Sequence, residues 1–255
     1  MKYAFKIVFS FIFCVAVYDC TKQKAFAPNT GNFIVIGDAE NMLVKKQDNG
    51  IFPSSALSNQ LAMDVDDDQV NDFVFAYSGI SKTSWSFDQI ILTGTSNNCQ
   101  LFGNYGIDST FLLETLETGT SLPTSYSGVT NYTIHTLNYT CSRNTAQSKV
   151  SSINQHAFRV KALDSLAHLS KSIDFGNDTV LLTSNGRSNF GYQISTTQFL
   201  SERSYNRVNC NAFSTNKCYY IGIQIHNKNK DYLGWIKFMY LNNAIKLLET
   251  AIQKP

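Results

Sequence analysis

The stretch MDVDDDQVNDFVFAYSG (Met63–Gly79) decides how the chain is read. It leaves an apolar run, crosses Asp64, Asp66, Asp67, Asp68 and Asp72, and then alternates at Phe73, Phe75 and Tyr77. Alternation with a period of two marks a half-buried strand, because successive side chains on a strand point to opposite faces. The acidic run between the two apolar segments is too polar for a core and reads as a turn joining two strands.

The same pattern recurs outward from this stretch. NFIVIGD (Asn32–Asp38), WSFDQIILTG (Trp85–Gly94), YTIHTLNYTC (Tyr132–Cys141), TVLLTSNG (Thr179–Gly186) and CYYIGIQIHN (Cys218–Asn227) are short runs bounded by Gly, Asn, Asp or Ser. Such punctuation is the signal of strands joined by turns. The prediction is an all-β, antiparallel β-sandwich of jelly-roll type with few short helices, a single domain over residues 32–255. Two windows, TFLLETLETG (Thr110–Gly119) and NNAIKLLETAIQ (Asn242–Gln253), have apolar spacing that also suits a helix. In the second, Ala244, Ile245, Leu248, Ala251 and Ile252 would share one helical face, and periodicity over so short a run leaves strand and helix both open. Residues 104–128 read as the longest irregular stretch, a rim loop.

Charge is nearly balanced, with 21 Lys+Arg against 19 Asp+Glu in 255 residues. No basic block is present, so the composition argues against nucleic acid and against an anionic membrane surface as partners.

The N-terminus gives a placement. Lys2 and Lys6 precede an apolar run from Ile7 to Tyr18, the layout of an export leader and too short for a comfortable membrane span. A leader over residues 1–19 and a tether over 20–31 are expected. CTKQK (Cys20–Lys24) resembles the mature start of Bacteroidetes lipoproteins, which implies lipidation at Cys20 and a membrane contact through that lipid alone. Cleavage near Ala27, where Ala25 and Ala27 stand in a small-x-small pattern, is the other reading. The chain is then an outer-membrane or cell-surface lipoprotein, or else periplasmic or secreted.

Of six cysteines, Cys14 leaves with the leader. With Cys20 lipidated, Cys99, Cys141, Cys210 and Cys218 remain, an even set for an oxidising compartment. Nearest-neighbour pairing, Cys99 with Cys141 and Cys210 with Cys218, is the simplest of three. In the chain-entropy model the first bridge would be worth about 4 kcal/mol. No Cys-x-x-Cys supports a zinc site instead.

The acidic run carries the chemistry. Asp64, Asp66, Asp68 and Asp72 stand at positions 1, 3, 5 and 9 of a loop, and hard oxygen ligands at alternate positions converge when the backbone curls around a cation. Val70 at position 7 would offer its carbonyl. Ca²⁺, which takes six to eight oxygens, is the expected ion, in a structural role. Gln69 stands where a sharp turn usually has Gly, and Phe75 where a bidentate Glu would complete the shell.

DVDDDQVNDFVF (Asp64–Phe75) resembles the D-x-D-x-D-G-x-x-D-F segment of a group of exported Bacteroidetes β proteins. Their C-terminal strand with Gly-Trp-Ile/Val-Arg/Lys is similar to YYIGIQIHNKNKDYLGWIKFMYL (Tyr219–Leu241), where Tyr232, Gly234, Trp235, Ile236 and Lys237 match in order and spacing. The resemblance covers about 35 residues at the two motifs. It implies a lectin-like or laminin-G-like sandwich whose last segment, 242–253, returns as a strand. It implies no activity, because fold does not license function.

Nothing in the sequence assembles a catalytic constellation. No Gly-x-Ser-x-Gly elbow, His-Glu-x-x-His or phosphate-cradling glycine loop is present. Glu114 and Glu117 have glycosidase residue types but the spacing of a solvated face. His135, His156, His168 and His226 are scattered. Trp235 lies in an apolar run and reads as core, whereas Trp85 and Tyr105 are candidates for an exposed aromatic platform. The sequons at Asn131, Asn138 and Asn177 read as strand-surface polar residues. The resulting expectation is a non-enzymatic, exported sandwich with a calcium loop that binds a glycan or an envelope partner protein. A carbohydrate-active hydrolase and a purely structural envelope protein are the alternatives.

Overall fold

The computed structural model describes residues 31–48, 50–53, 59–120, 131–143, 150–171, 174–195, 198–208, 213–227, 230–241 and 244–254. The expected leader (residues 1–19), Cys20 and Cys210 lie outside these residues.

Seventeen strands and no helix occur among the described residues. In chain order they begin with β1 (Phe33–Val35), β2 (Met42–Lys46), β3 (Ile51–Phe52), β4 (Gln60–Met63), β5 (Phe73–Ser81) and β6 (Trp85–Gly94). Next come β7 (Cys99–Gly119), β8 (Asn131–Arg143), β9 (Val150–Val160), β10 (Ala162–Leu163), β11 (His168–Ser170) and β12 (Phe175–Gly176). The last are β13 (Val180–Ser195), β14 (Gln198–Val208), β15 (Lys217–Asn227), β16 (Lys230–Tyr240) and β17 (Ile245–Gln253). The short helices expected from the sequence are absent from this list.

Fifteen strands share one hydrogen-bonded path, β2-β17-β16-β15-β7-β8-β14-β13-β6-β5-β4, with β3, β9, β10 and β12 alongside. The path folds over on itself as a β-sandwich. Residues Cys99–Leu101 of β7 pair with β15, while Asp108–Gly119 of the same strand pair with β8, so β7 belongs to both sheets. Among the described residues, pairing is antiparallel except between β8 and β14, which run parallel.

The core lies where the two sheets face. Phe73 and Phe75 of β5, Ile90 and Leu92 of β6, and Leu182 of β13 meet Ile221 and Ile223 of β15 and Ile236 and Phe238 of β16, all fully buried. The rings of Phe75 and Phe238 lie 6.1 Å apart and tilted. Burying each such side chain is worth about 1.5–3 kcal/mol. A second cluster covers the other face of β15–β17. There Trp235, Leu233 and Ala251 pack under Ile34 and Leu169 of the β1–β11 pair and Ile36 just beyond β1. Trp235 is fully buried, as its apolar setting predicts.

Both helix-compatible windows are strands, each for its own reason. In β17, Phe238 pairs with Leu247 and Lys237 with Glu249, which leaves Leu248 as the extra residue of a bulge. A bulge breaks the period of two, and the interrupted alternation imitates helical spacing. The expectation of a returning C-terminal strand is met. In β7, Thr110–Gly119 pairs along its length with β8. Its Leu113 and Leu116 are both largely exposed, so the spacing does not describe a buried stripe. The rim loop expected over 104–128 is corrected accordingly. Residues 104–119 form strand, held by β9 as well as β8, and residues 121–130 lie outside the described part.

Candidate metal centre

The acidic residues lie in the connection between β4 and β5. Its two ends are tied together where the Asp72 N–H donates to the Met63 carbonyl at 2.8 Å. The turn from β6 to β7 buttresses it: the Thr95 N–H and hydroxyl both donate to the Asp72 carbonyl, at 2.8 and 3.1 Å, and the hydroxyl also reaches the Asn71 carbonyl.

Within the loop, aspartate side chains replace the missing strand ladder. Asp64 accepts from the N–H groups of Asp67 (2.7 Å) and Gln69 (3.0 Å), Asp66 from Asp68 (3.3 Å), and Asp68 from Val70 (2.8 Å). Such local bonds are why Asp suits turns. They stabilise a tight curl in which Asp67 and Gln69 adopt left-handed backbone, with φ of 72° and 70°. Gln69 thus takes up the conformation that a glycine would reach without strain.

The curl brings together one carboxylate oxygen each from Asp64, Asp66 and Asp72, all within 4.8 Å of one another. Oxygens around a single Ca²⁺ sit at about 2.3–2.6 Å from it, so two on opposite sides are separated by about 5 Å. The observed spacing fits a common ion. Of the four aspartates predicted as ligands, these three converge. The Asp68 carboxylate accepts the N–H of Val70, the residue expected to offer its carbonyl.

The electrostatics of the three are unequal. Asp72 is buried, and its Oδ2 accepts the Val65 N–H at 2.7 Å. Burial pushes its carboxyl up to about 6, with the charges of Asp66 and Asp68 adding to the effect. Burial and the neighbouring Asp68 charge also raise Asp66. Asp64 is held below its ordinary value. Burial works the other way there and is outweighed by the N–H groups of Asp67 and Gln69 and by the Lys45 ammonium.

Lys45 is a functional neighbour that sequence reasoning missed. From β2 it donates to the Asp64 carbonyl at 2.8 Å and forms ion pairs with Asp64 at 3.3 Å and Asp67 at 2.9 Å. Nothing in its local sequence signals this, since it lies 19 residues away and is delivered by the pairing of β2 with β17. A second neighbour is the Cys99 thiol, which donates to Asp72 Oδ1 at 3.7 Å. Burial pushes this thiol up, and the Ser96 hydroxyl only partly offsets it.

This position of Cys99 overturns the expected disulfide pairing. Cys99 and Cys218 are both thiols, so neither Cys99–Cys141 nor Cys210–Cys218 forms. Cys99 opens β7 and points into the core beside Asp72, whereas Cys141 of β8 pairs with Thr110, farther along β7. Cys141 is disulfide-bonded, and its Sγ accepts from the Arg159 guanidinium at 3.1 Å.

The other candidates do not assemble. Trp85 begins β6 and has the Lys82 ammonium 5.4 Å above its ring. Tyr105 lies in β7, packs against Phe158 at 5.1 Å and donates its hydroxyl to Asp178. The two aromatics stand on strands that do not pair with each other, and Tyr105 is exposed as expected. Glu114 and Glu117 are three residues apart in one strand and therefore face opposite sides of it. Glu114 sits 3.6 Å from His135, and Glu117 accepts from the Tyr132 hydroxyl at 3.2 Å.

What stands as geometry is three convergent aspartates at a strand-to-strand turn, able to hold a metal ion. Comparison of the chain with known protein families and with characterised proteins found no match.

Proposed function

We propose that this chain is a non-enzymatic, exported β-sandwich in which Asp64, Asp66 and Asp72 hold a structural Ca²⁺, and that it binds a glycan or an envelope partner protein through its loops. The observation that carries the metal assignment is the convergence of the three carboxylates. An all-oxygen donor set selects a hard cation, and Ca²⁺ fills out its larger shell with carbonyl oxygens and water. The Cys99 thiol is a poor rival ligand, because burial keeps its proton on.

Bound there, the ion would fasten the end of β4 to the start of β5 and offset the burial, and the lesser carboxylate repulsion, that raise Asp66 and Asp72. The split of Glu114 and Glu117 across two faces supports the non-enzymatic reading. The leader-like N-terminus and Cys20 support export with a lipid anchor. The resemblance at Asp64–Phe75 and Tyr219–Leu241 supports a lectin-like sandwich in the cell envelope.

Calorimetric titration of the full chain with CaCl₂ tests the metal. One saturable site is expected, lost in Asp64→Ala and weakened in Asp72→Asn, with Mg²⁺ binding less tightly. No binding heat in the wild type, or unchanged binding in both variants, refutes the assignment.

A further inference from the structure

A cleft of ≈ 550 Å³ opens on the side of the molecule where the β10–β11 turn passes the start of β7. Small-molecule sites occupy about 300–1,000 Å³, so its size is that of a binding site. Its walls are fixed by backbone hydrogen bonds. The Leu166 N–H donates to the Ile36 carbonyl at 2.8 Å, and the Ile36 N–H donates to the Ala167 carbonyl at 2.9 Å. Opposite, the Gly103 N–H donates to the Asp174 carbonyl at 2.9 Å and the Lys161 N–H to the Phe102 carbonyl at 3.0 Å. Leu166 sits in left-handed backbone at φ 79° with its side chain partly exposed. Strain of this kind persists only where the surroundings over-determine it, and it concentrates at binding sites.

The lining is chemically mixed. Asp164 and Asp174 supply carboxylates, Lys161 an ammonium and Leu166 exposed apolar surface, above the buried Phe102. Among the described residues these three charged groups share the cleft without an ion pair or side-chain hydrogen bond. The Lys161 ammonium instead stands 5.8 Å from the Phe102 ring centre. Two strong acceptors and one strong donor are therefore uncommitted around one preformed space.

We propose that this cleft binds a neutral, polyhydroxylated ligand, the terminal sugar of a glycan. Adjacent hydroxyls suit the two carboxylates, a ring or acetal oxygen suits Lys161, and the C–H face of a sugar suits the exposed Leu166 side chain. A phosphate or sulfate ligand would meet Asp164 and Asp174 as like charges, and a lipid chain would leave all three charged groups unsolvated. The inference rests on the reading of the chain as a binding module and supplies the place and class of ligand that reading lacks.

The test is nuclear magnetic resonance titration of the ¹⁵N-labelled full chain, in calcium-containing buffer, with methyl α-mannoside, methyl β-galactoside and N-acetylglucosamine. Glucose 6-phosphate serves as the charged control. At least one neutral sugar is expected to shift the amides of Asn104, Ser165 and Leu166 saturably, while the phosphate shifts them less. Asp164→Asn and Asp174→Asn should each weaken that sugar by about tenfold, the loss of one charge-assisted hydrogen bond. Both positions are exposed, so the melting temperature of each variant should match the wild type. Shifts confined to other residues would overturn the cleft and leave glycan binding standing. No shift at any amide would overturn the cleft and remove these glycans from the proposed partners together. Unchanged affinity in both variants would also overturn it.

Discussion

Asp72→Asn is the most informative single substitution, because its effect should change sign with calcium. In the metal-free protein the Asp72 carboxyl is buried and held at about 6 instead of its ordinary 3.8, first through desolvation and then through the Asp66 and Asp68 charges. A folded-state value above the unfolded one means the native state binds the proton more tightly. The resulting contribution to stability is fully present below pH 3.8 and is lost as pH rises through about 6. At full effect the loss at neutral pH is about 3 kcal/mol, and allowing for solvent screening at the loop leaves about 2 kcal/mol.

Asn keeps an oxygen for the Val65 N–H and cannot ionise. In chelator at pH 7.5, Asp72→Asn should therefore be more stable than wild type by about 2 kcal/mol, a rise in Tm of about 4–8 °C for a domain of this size. At pH 4 the advantage should nearly vanish. With saturating Ca²⁺ at pH 7.5 the order should invert, because the ion stabilises the carboxylate and loses a ligand in the variant. Differential scanning calorimetry at the two pH values, with and without chelator, reads all of this. A variant less stable than wild type in chelator at pH 7.5, or an advantage unchanged at pH 4, refutes the electrostatic account of the loop.

Three further predictions concern the frame. Gly234→Ala would place a Cβ 2.1 Å from the Ala251 carbonyl oxygen across the β16–β17 pair, and loss of soluble folded protein on expression is expected. Phe75→Ala removes a fully buried ring from the sheet–sheet interface and should cost about 3–5 kcal/mol in denaturant titration. Asp108→Ala would take away the carboxylate that faces the buried Arg159 guanidinium, whose Nε now donates to both Asp108 oxygens at 2.7 Å. It should lower stability by about 3–5 kcal/mol, far more than a surface ion pair would.

The architecture was legible wherever burial enforced alternation. Phe73, Phe75, Ile90 and Leu92 announce their strands because one face of each packs in the core. It was illegible where other effects set the spacing. The bulge at Leu248 interrupts the period of β17, and Thr110–Gly119 is strand because β8 pairs with it rather than because of its own pattern. The convergence of Asp64, Asp66 and Asp72 was legible in the aspartate spacing. The loop's electrostatic partners were not, because Lys45 and Cys99 arrive through pairings far along the chain. Cysteine counting failed for a related reason: parity says nothing about which sulfurs the sheets bring together, and Cys99 points into the core.

Thermal unfolding of the full chain in Ca²⁺ and in chelator, beside an Asp66→Ala variant, tests the central claim most directly. A ligand that binds only the folded state stabilises it by about 2.7 kcal/mol at a hundred times its Kd. The wild-type midpoint should accordingly rise by about 5–10 °C in Ca²⁺, and the variant should rise by far less. A wild-type midpoint that ignores Ca²⁺, or a variant that gains as much as the wild type, would mean that Asp64, Asp66 and Asp72 form a solvated turn and not a metal centre.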